Sequence, residues 1–252
     1  MFETGLATHV GKVRERNEDS CLARPETGIW AVADGMGGHA DGDVASQAII
    51  RALETIERPA SASALLARCQ ESVCLANDWL RELGRERGDV VGATVAILLA
   101  FDGFYACVWS GDSRIYMVRM GSIFQLSRDH TEVQELLAEG AITADEAKNW
   151  TGRNGITRAI GIHDIPELEI TSGVLNPGDS FVICSDGLTN HVQDDEIFRF
   201  VNTNISQQAC NALIALTLER GALDNVSVIV TRYQPGHNVP KSAVPDIGGR
   251  PI

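Results

Sequence analysis

The sequence is poor in positive charge. Its 252 residues include 21 Lys and Arg against 34 Asp and Glu, which gives a formal net charge of −13. Nucleic acids and anionic membrane surfaces repel a chain with this balance, so neither is expected as a partner. Divalent cations bound by carboxylates would offset part of the negative charge.

Long hydrophobic runs are also missing. No apolar run reaches the roughly 18 residues of a membrane-spanning helix, and the N-terminus has no basic region followed by an apolar stretch. The cysteines lie far apart, with no Cys-x-x-Cys pair, and several fall inside apolar runs, which favours buried, reduced thiols over disulfides or zinc ligands. We therefore expect a cytoplasmic protein. The cysteines are Cys21, Cys69, Cys74, Cys107, Cys184 and Cys210.

The periodicity of apolar residues predicts an α+β fold with antiparallel sheets. Short segments rich in β-branched or aromatic residues predict strands at 28–33, 93–100, 104–110, 114–119, 122–126, 179–184 and 226–232. Helical spacing predicts helices at 43–57, 63–83, 131–140, 194–201 and 207–220, and Thr143 to Glu146 is a capping box for another. Turn residues at 101–103, 111–113 and 120–121 predict hairpins and an antiparallel meander. Prolines and glycines from Pro235 onward predict a disordered tail over 235–252.

Acidic motifs at predicted turns are the main functional signal. Asp34, Asp112, Asp186 and Asp224 are each expected at the end of a strand, and Glu18-Asp19 adds a further pair. Any one Asp-Gly pair is usually an ordinary turn. A fold that brings the set together would form an all-oxygen pocket suited to Mg²⁺ or Mn²⁺.

Other candidates each have a plain structural alternative. The glycine-rich segment 34–39 matches neither the dinucleotide-binding fingerprint nor the P-loop, and by itself could be a turn before a helix. Arg14 is either half of a surface ion pair or a bidentate phosphate ligand. His39 is a candidate proton donor to a leaving oxygen, whereas His130 is expected to cap the following helix. Cys184 lacks the basic surroundings of a catalytic thiolate.

Taken in order, the motifs resemble those of the metal-dependent Ser/Thr protein phosphatases of the type 2C (PPM) family, in its bacterial form. The likeness runs from about Gly5 to Tyr233. It is carried by Val13-Arg14-x-x-Asn17-Glu18-Asp19, Val32-Ala33-Asp34-Gly35-Met36-Gly37-Gly38-His39, Gly92-Ala93-Thr94, Gly111-Asp112-Ser113-Arg114, Asp129-His130-Thr131, Ile156-Thr157-Arg158-Ala159-Ile160-Gly161, Cys184-Ser185-Asp186-Gly187-Leu188 and Asp224-Asn225-Val226-Ser227.

The resemblance implies a four-layer α-β-β-α sandwich, two antiparallel sheets flanked by helices, with a dinuclear Mn²⁺ or Mg²⁺ site. It implies that Asp34 bridges both ions and that the Gly35 carbonyl binds one of them. By the same resemblance, Asp186 and Asp224 hold the first ion, Glu18 and Asp19 the second, and Asp112 with Asp186 a third, weaker ion. Arg14 matches the phosphate-binding arginine, and residues 131–153 match a mobile flap beside the site. The catalytic domain is expected over 1–234.

The chemistry fits that assignment, because two divalent ions would bind the phosphate and lower the pKa of a bridging water so that hydroxide attacks phosphorus. One departure concerns the general acid. In animal relatives a histidine directly follows the Asp-Gly pair, but here that position is Met36. Either His39 takes this role or a metal-bound water does.

The expected function is a monomeric enzyme that hydrolyses phosphoserine and phosphothreonine in proteins and opposes a bacterial Ser/Thr kinase. Two alternatives remain at this point. One is a binding module of the same fold without hydrolysis, although such a module would be expected to lose metal carboxylates. The other is a phosphatase acting on a small phosphoester.

Overall fold

A computed structural model describes residues 1–37, 41–148, 150 and 155–234 of the chain. The strands are β1 (Phe2–His9), β2 (Asp19–Arg24), β3 (Ile29–Gly37), β4 (Val91–Ala93), β5 (Val95–Phe101), β6 (Phe104–Ser110), β7 (Arg114–Arg119), β8 (Ser122–Gln125), β9 (Glu169–Val174), β10 (Ser180–Cys184) and β11 (Val226–Tyr233). The helices are α1 (Gly42–Glu54), α2 (Ala62–Arg87), α3 (Glu132–Ala138), α4 (Ala144–Lys148), α5 (Asp186–Thr189), α6 (Asp194–Thr203) and α7 (Ser206–Glu219).

The strands form two antiparallel sheets. One has the order β1-β11-β10-β7-β8 and the other the order β2-β3-β5-β6-β9, with β4 added to β3. Helices α1 and α2 pack on the second sheet, and α5, α6 and α7 pack on the first. The predicted α-β-β-α sandwich is therefore confirmed.

Successive side chains of a strand point to opposite faces of its sheet, which explains how the layers pack together. On β5, Ile97 and Leu99 face α1 and α2, whereas Ala96 and Leu98 face the other sheet, so the whole strand is apolar. The layer between the sheets is filled by large buried side chains, among them Trp30 and Phe181. Burial of such side chains contributes about 1.5–3 kcal/mol each to folding.

Helix α2 matches the predicted helix over 63–83 at its start but extends four residues further, to Arg87. Ser61 caps it by accepting the Ala64 N–H, and Gly88, with φ of 67°, ends it in the left-handed conformation. The predicted turns at 101–103 and 120–121 are hairpins, each with two consecutive residues of positive φ. The capping box is present, since Thr143 Oγ1 accepts the Glu146 N–H and Glu146 accepts the Thr143 N–H.

The predicted meander is wrong at residues 111–113. Strand β6 belongs to one sheet and β7 to the other, so this turn carries the chain between the sheets and closes no hairpin. Gly111 makes the crossing possible because it has φ of 109° and a Cβ there would lie 2.5 Å from the Thr94 side chain. Asp112 does follow the end of β6, as predicted.

The prediction that Asp34 ends a strand is wrong, because Asp34 lies inside β3. Strand β3 continues through it to Gly37, because Asp34 pairs with Asp19 of β2 and the next three residues pair with β4. The predicted strand over 93–100 is divided into β4 and β5 at Thr94, whose N–H donates to the Asp34 carbonyl at 2.8 Å. Strands β1, β2 and β9 and helix α5 were not predicted.

The predicted disordered tail, 235–252, lies outside the described residues, and so does part of the predicted flap, at 149 and 151–154. None of the helices in the described part of the chain is both long and apolar enough to cross a membrane.

Candidate active site

The fold brings the predicted carboxylates to one region of the sandwich. Asp34 lies on β3 directly opposite Asp19 at the start of β2. Asp112 follows β6, Asp186 follows β10, and Asp224 precedes β11. Their charges interact. Loss of contact with water raises the pKa of Asp34 well above its ordinary value, and repulsion from the neighbouring carboxylates adds to the effect. These carboxylates belong to Asp19, Asp186, Asp112 and Asp224. Clustering of acidic groups at this cost is typical of a functional site.

Asp19 is 8% exposed, and its two oxygens are in different environments. Its Oδ2 accepts a hydrogen bond from Ser185 Oγ at 2.8 Å, whereas its Oδ1 has no partner. Burial raises the pKa of Asp19 to about 7, and repulsion from Asp186 and Asp224 adds to the effect. Ser185 holds the carboxylate in place and leaves one oxygen available.

Asp112 shares these properties. It is 7% exposed, its Oδ1 is buried without a partner, and burial together with repulsion from Asp186 raises its pKa to about 7. Burial and repulsion from Asp224 also raise the pKa of Asp186, whose Oδ2 accepts a hydrogen bond from Asn190 Nδ2 at 3.0 Å. Unpartnered buried carboxylate oxygens are costly, which indicates an interaction with a group outside the chain.

Glu18 and Gly35 lie beside each other. The Gly35 N–H donates to the Glu18 carbonyl at 3.1 Å. A Cβ on Gly35 would lie 1.9 Å from the Gly42 carbonyl oxygen, so only glycine fits between β2 and the start of α1. Burial raises the pKa of the Glu18 carboxyl, while the charge of Arg14 opposes that effect.

Arg14 contacts one of the clustered carboxylates, that of Asp224, and not Glu18 or Asp19, which are nearest to it in sequence. Its Nη2 lies 2.7 Å from Asp224 Oδ2, and the two side chains are 53% and 37% exposed. This hydrogen bond raises the pKa of Arg14, so the guanidinium is charged. It forms a surface ion pair with Asp224, which is the plain structural alternative named for Arg14 above.

The donor set suits a divalent cation. Within the described ranges, no group of three or more His, Cys, Asp or Glu side chains is arranged so that it could hold a metal ion as it stands. The donors are nevertheless carboxylate oxygens, two of them buried without partners, and a hard cation would relieve both their missing contacts and their mutual repulsion. The residues present therefore fit a Mg²⁺ or Mn²⁺ centre.

Two histidine predictions have different outcomes. His39 lies outside the described residues. His130 does not cap α3 as predicted, because Thr131 is the N-cap residue and makes no side-chain cap. The buried His130 ring instead accepts the Gly111 N–H at Nδ1 and stacks on Trp109, so it supports the turn that carries Asp112.

Cys184 is fully buried, and burial raises its pKa to about 12, which fits the prediction that it is no nucleophile. The cysteines are free thiols, four of them buried. Cys74 is exposed, against the prediction of burial.

A cleft of about 340 Å³ opens beside the carboxylates. Asp112 and Asp186 line one side, and residues of α3 and α4 line the other. Arg114 also lines the cleft, and its Nε and Nη2 donate hydrogen bonds to Asp129. The described part of the predicted flap thus borders the site.

Sequence reasoning assigned no function to three polar residues here: Ser185, Asn190 and Asn225. Each adjoins a predicted ligand in sequence or makes a hydrogen bond to one. Their position inside or just after the Ser-Asp-Gly and Asp-Asn motifs was the available signal.

Comparison with known proteins gives a consistent result. The family model for protein phosphatase 2C matches residues 8–215. The serine/threonine protein phosphatase PstP of Mycobacterium tuberculosis is 36% identical over 222 residues, which cover 87% of this chain and 43% of PstP. The chain thus spans less than half the length of that relative. A putative protein phosphatase 2C-type of Streptococcus pyogenes is 35% identical, with 92% of this chain and 98% of the relative covered.

Solved structures agree. PppA, described as a key regulatory component of T6SS in Pseudomonas aeruginosa, has a TM-score of 0.85 and 38% identity, covering 92% of this chain and 97% of its own. The catalytic domain of PstP in complex with two manganese ions has a TM-score of 0.84 and 34% identity, covering 93% and 99%. With its fold, its carboxylates and its sequence in agreement, the chain belongs to the protein phosphatase 2C family.

Proposed function

We propose that this chain is a metal-dependent phosphatase that hydrolyses phosphoserine and phosphothreonine in proteins. The carrying observation is the cluster of carboxylates with two buried, unpartnered oxygens, on Asp19 and Asp112, next to the charged Arg14. Asp34, Asp186 and Asp224, with Glu18, Asp19 and the Gly35 carbonyl, would hold two Mn²⁺ or Mg²⁺ ions. Asp112 with Asp186 would hold a third, weaker ion.

When bound, the ions would neutralise the carboxylates, bind phosphate oxygens and activate water as a hydroxide nucleophile bridging the two ions. The chain's own residues would position the carboxylates and the phosphate. Ser185 fixes Asp19 from the opposite sheet, and Asn190 orients Asp186. Arg14, at the exposed rim, would bind the dianionic phosphate through its guanidinium. His39 remains the candidate for the general acid.

The partners in this proposal are phosphorylated proteins and the Ser/Thr kinase whose products the enzyme reverses. The cleft between the carboxylates and α3–α4 favours a protein substrate, because residues of the predicted flap line it beside Asp112 and Asp186. The free thiols favour the reducing cytoplasm. We propose a monomer.

Metal removal tests the proposal directly. Hydrolysis of a phosphothreonine peptide should stop in EDTA and return with Mn²⁺, since an all-oxygen site exchanges its ions readily. Asp34→Asn, which keeps the shape of the side chain and removes its charge, should keep its circular dichroism spectrum while turnover falls to below about a hundredth of wild type.

Two results would contradict the proposal. Full activity of thoroughly metal-stripped protein would exclude metal-dependent hydrolysis. No hydrolysis of any phosphopeptide or small phosphoester in saturating Mn²⁺ would favour the binding module.

A further inference from the structure

Asn225 is buried, 4% exposed, between Asp224 and the first residue of β11. A buried amide must have hydrogen-bond partners, and three of the four bonds that an Asn side chain can form are made here. Its Oδ1 accepts the Glu18 N–H at 2.8 Å, and its Nδ2 donates to the carbonyls of Val10 and Arg16 at 2.9 and 2.8 Å. All three partners lie in one segment, residues 10–18.

That segment carries two residues of the proposed site, Arg14 and Glu18, and it has no helix or strand of its own. Its backbone is otherwise joined to the Asp224 loop by a bond from the Lys12 N–H to the Ala222 carbonyl. The position of Arg14 and Glu18 relative to Asp224 therefore depends mainly on the Asn225 amide.

The connection continues to two other site residues. The Glu18 peptide is held on both sides, its N–H by Asn225 and its carbonyl by the Gly35 N–H next to Asp34. The Asn225 carbonyl packs against Gly187, where a Cβ would lie 1.9 Å from it, so the same residue also contacts the turn that carries Asp186.

We propose that Asn225 is the positioning residue that sets the spacing of the proposed metal site by joining the segments that carry Glu18, Asp186 and Asp224. This inference rests on the proposed function. Asn225 touches neither substrate nor cation in it and acts through the groups that do. Its loss should separate Glu18 and Arg14 from the remaining ligands while both sheets stay intact.

Two substitutions test this in the full chain. Asn225→Ala removes all three bonds. Asn225→Asp keeps the shape and the acceptor for the Glu18 N–H, but it replaces the donor to Val10 and Arg16 by an oxygen. An added carboxylate would by itself strengthen cation binding, so weaker Mn²⁺ binding by Asn225→Asp identifies displaced ligands as the cause.

Asn77 provides a matched control. It is fully buried, and its amide also joins two backbone groups, the Gly161 N–H and the His163 carbonyl, in a part of the fold that holds none of the proposed ligands. Asn77→Ala should lower the melting temperature without changing Mn²⁺ affinity or the turnover of the folded fraction.

Isothermal titration with Mn²⁺, thermal melts in EDTA and phosphothreonine-peptide kinetics form the set of measurements. We expect both Asn225 variants to bind Mn²⁺ roughly 10- to 100-fold more weakly, the cost typical of losing a group that orients a ligand. Part of kcat should return at high Mn²⁺. Unchanged Mn²⁺ affinity in Asn225→Asp would overturn the inference. So would losses of Mn²⁺ affinity and turnover in Asn225→Ala and Asn77→Ala that are explained by their lower melting temperatures alone. Wild-type protein that binds Mn²⁺ without hydrolysis would contradict the proposed function instead, and the titrations would still decide the role of Asn225.

Discussion

Arg14 has two competing interactions at the scale of single residues. In the structure it pairs with Asp224, yet Asp224 is also a proposed ligand, so a bound cation would compete for that carboxylate and free the guanidinium for phosphate. Exposed ion pairs of this kind contribute at most about 1 kcal/mol, and they exchange partners at little cost.

Arg14→Ala should therefore separate substrate binding from metal binding. Hydrogen bonds to charged groups contribute about 1.5–3 kcal/mol, so KM for a phosphothreonine peptide should rise roughly 10- to 100-fold. Mn²⁺ affinity, measured by calorimetry, should stay equal or increase because Asp224 loses its competitor. Arg16→Ala makes the same charge change at an exposed position of the same segment and should alter KM little. Equal effects of the two variants would exclude the phosphate-binding role.

The sequence indicated the chemistry of Arg14 but not its partner. Glu18 and Asp19 are the nearest carboxylates along the chain, whereas the observed partner is 210 residues away. The same limit applies to Asn225, which lies 207 residues from Glu18. Local patterns do not encode such pairs, because they form only when β1 and β11 lie side by side.

At the scale of elements, the connection from β10 to α5 shows how tightly the site is packed. Gly187 has an ordinary backbone conformation but no room for a side chain, because the Asn225 carbonyl occupies that space. Gly178 is the opposite case, with φ of 90° and open space around it.

Gly187→Ala should displace the Asp186 turn and reduce turnover well beyond any change in stability. Overpacking costs about 1–3 kcal/mol, and here it falls on a proposed ligand. Gly178→Ala should lose roughly 1–2 kcal/mol from its left-handed backbone yet keep wild-type turnover once folded. Melting curves and peptide kinetics on both variants check this. Turnover preserved in Gly187→Ala would show that the turn tolerates displacement.

Element types were predictable where turn chemistry and periodicity agreed, as at the 101–103 and 120–121 hairpins. They were not predictable where a partner strand decides the conformation. Gly35 and Gly37 suggested a turn, but pairing with β4 keeps them extended. The 111–113 turn has hairpin residues and still leads into the other sheet, because the sheet in which a strand lies depends on which faces bury together.

For the whole molecule, the acidic cluster makes stability depend on pH. In metal-free protein the pKa values of Asp19 and Asp112 are about 7, above the ordinary aspartate value near 3.9. The folded state thus holds protons that the unfolded chain has released. Its added stability is complete below the ordinary pKa and is lost as pH rises through about 7.

The melting temperature in EDTA should therefore fall between pH 5.5 and pH 8.5, by roughly 5 °C or more. Mn²⁺ should stabilise the protein most at pH 8.5, where the carboxylates are charged. Asp112→Asn, which removes one of the two groups, should show a smaller fall. A melting temperature that is flat or rises over this range would show that the carboxylates are already compensated without metal.

The pairing of β1 with β11 has a consequence for synthesis. Strand β1 must wait for β11 to be synthesised, and closing so long a loop makes folding slow. Until the segment that leads into β11 has been translated, the nascent chain lacks Asp224 and Asn225, and residues 10–18 lack the hydrogen bonds that Asn225 and Ala222 make to them. The proposed hydrolysis can therefore begin only after translation has passed residue 233. Before that point the growing polypeptide cannot hydrolyse the phosphoproteins around it.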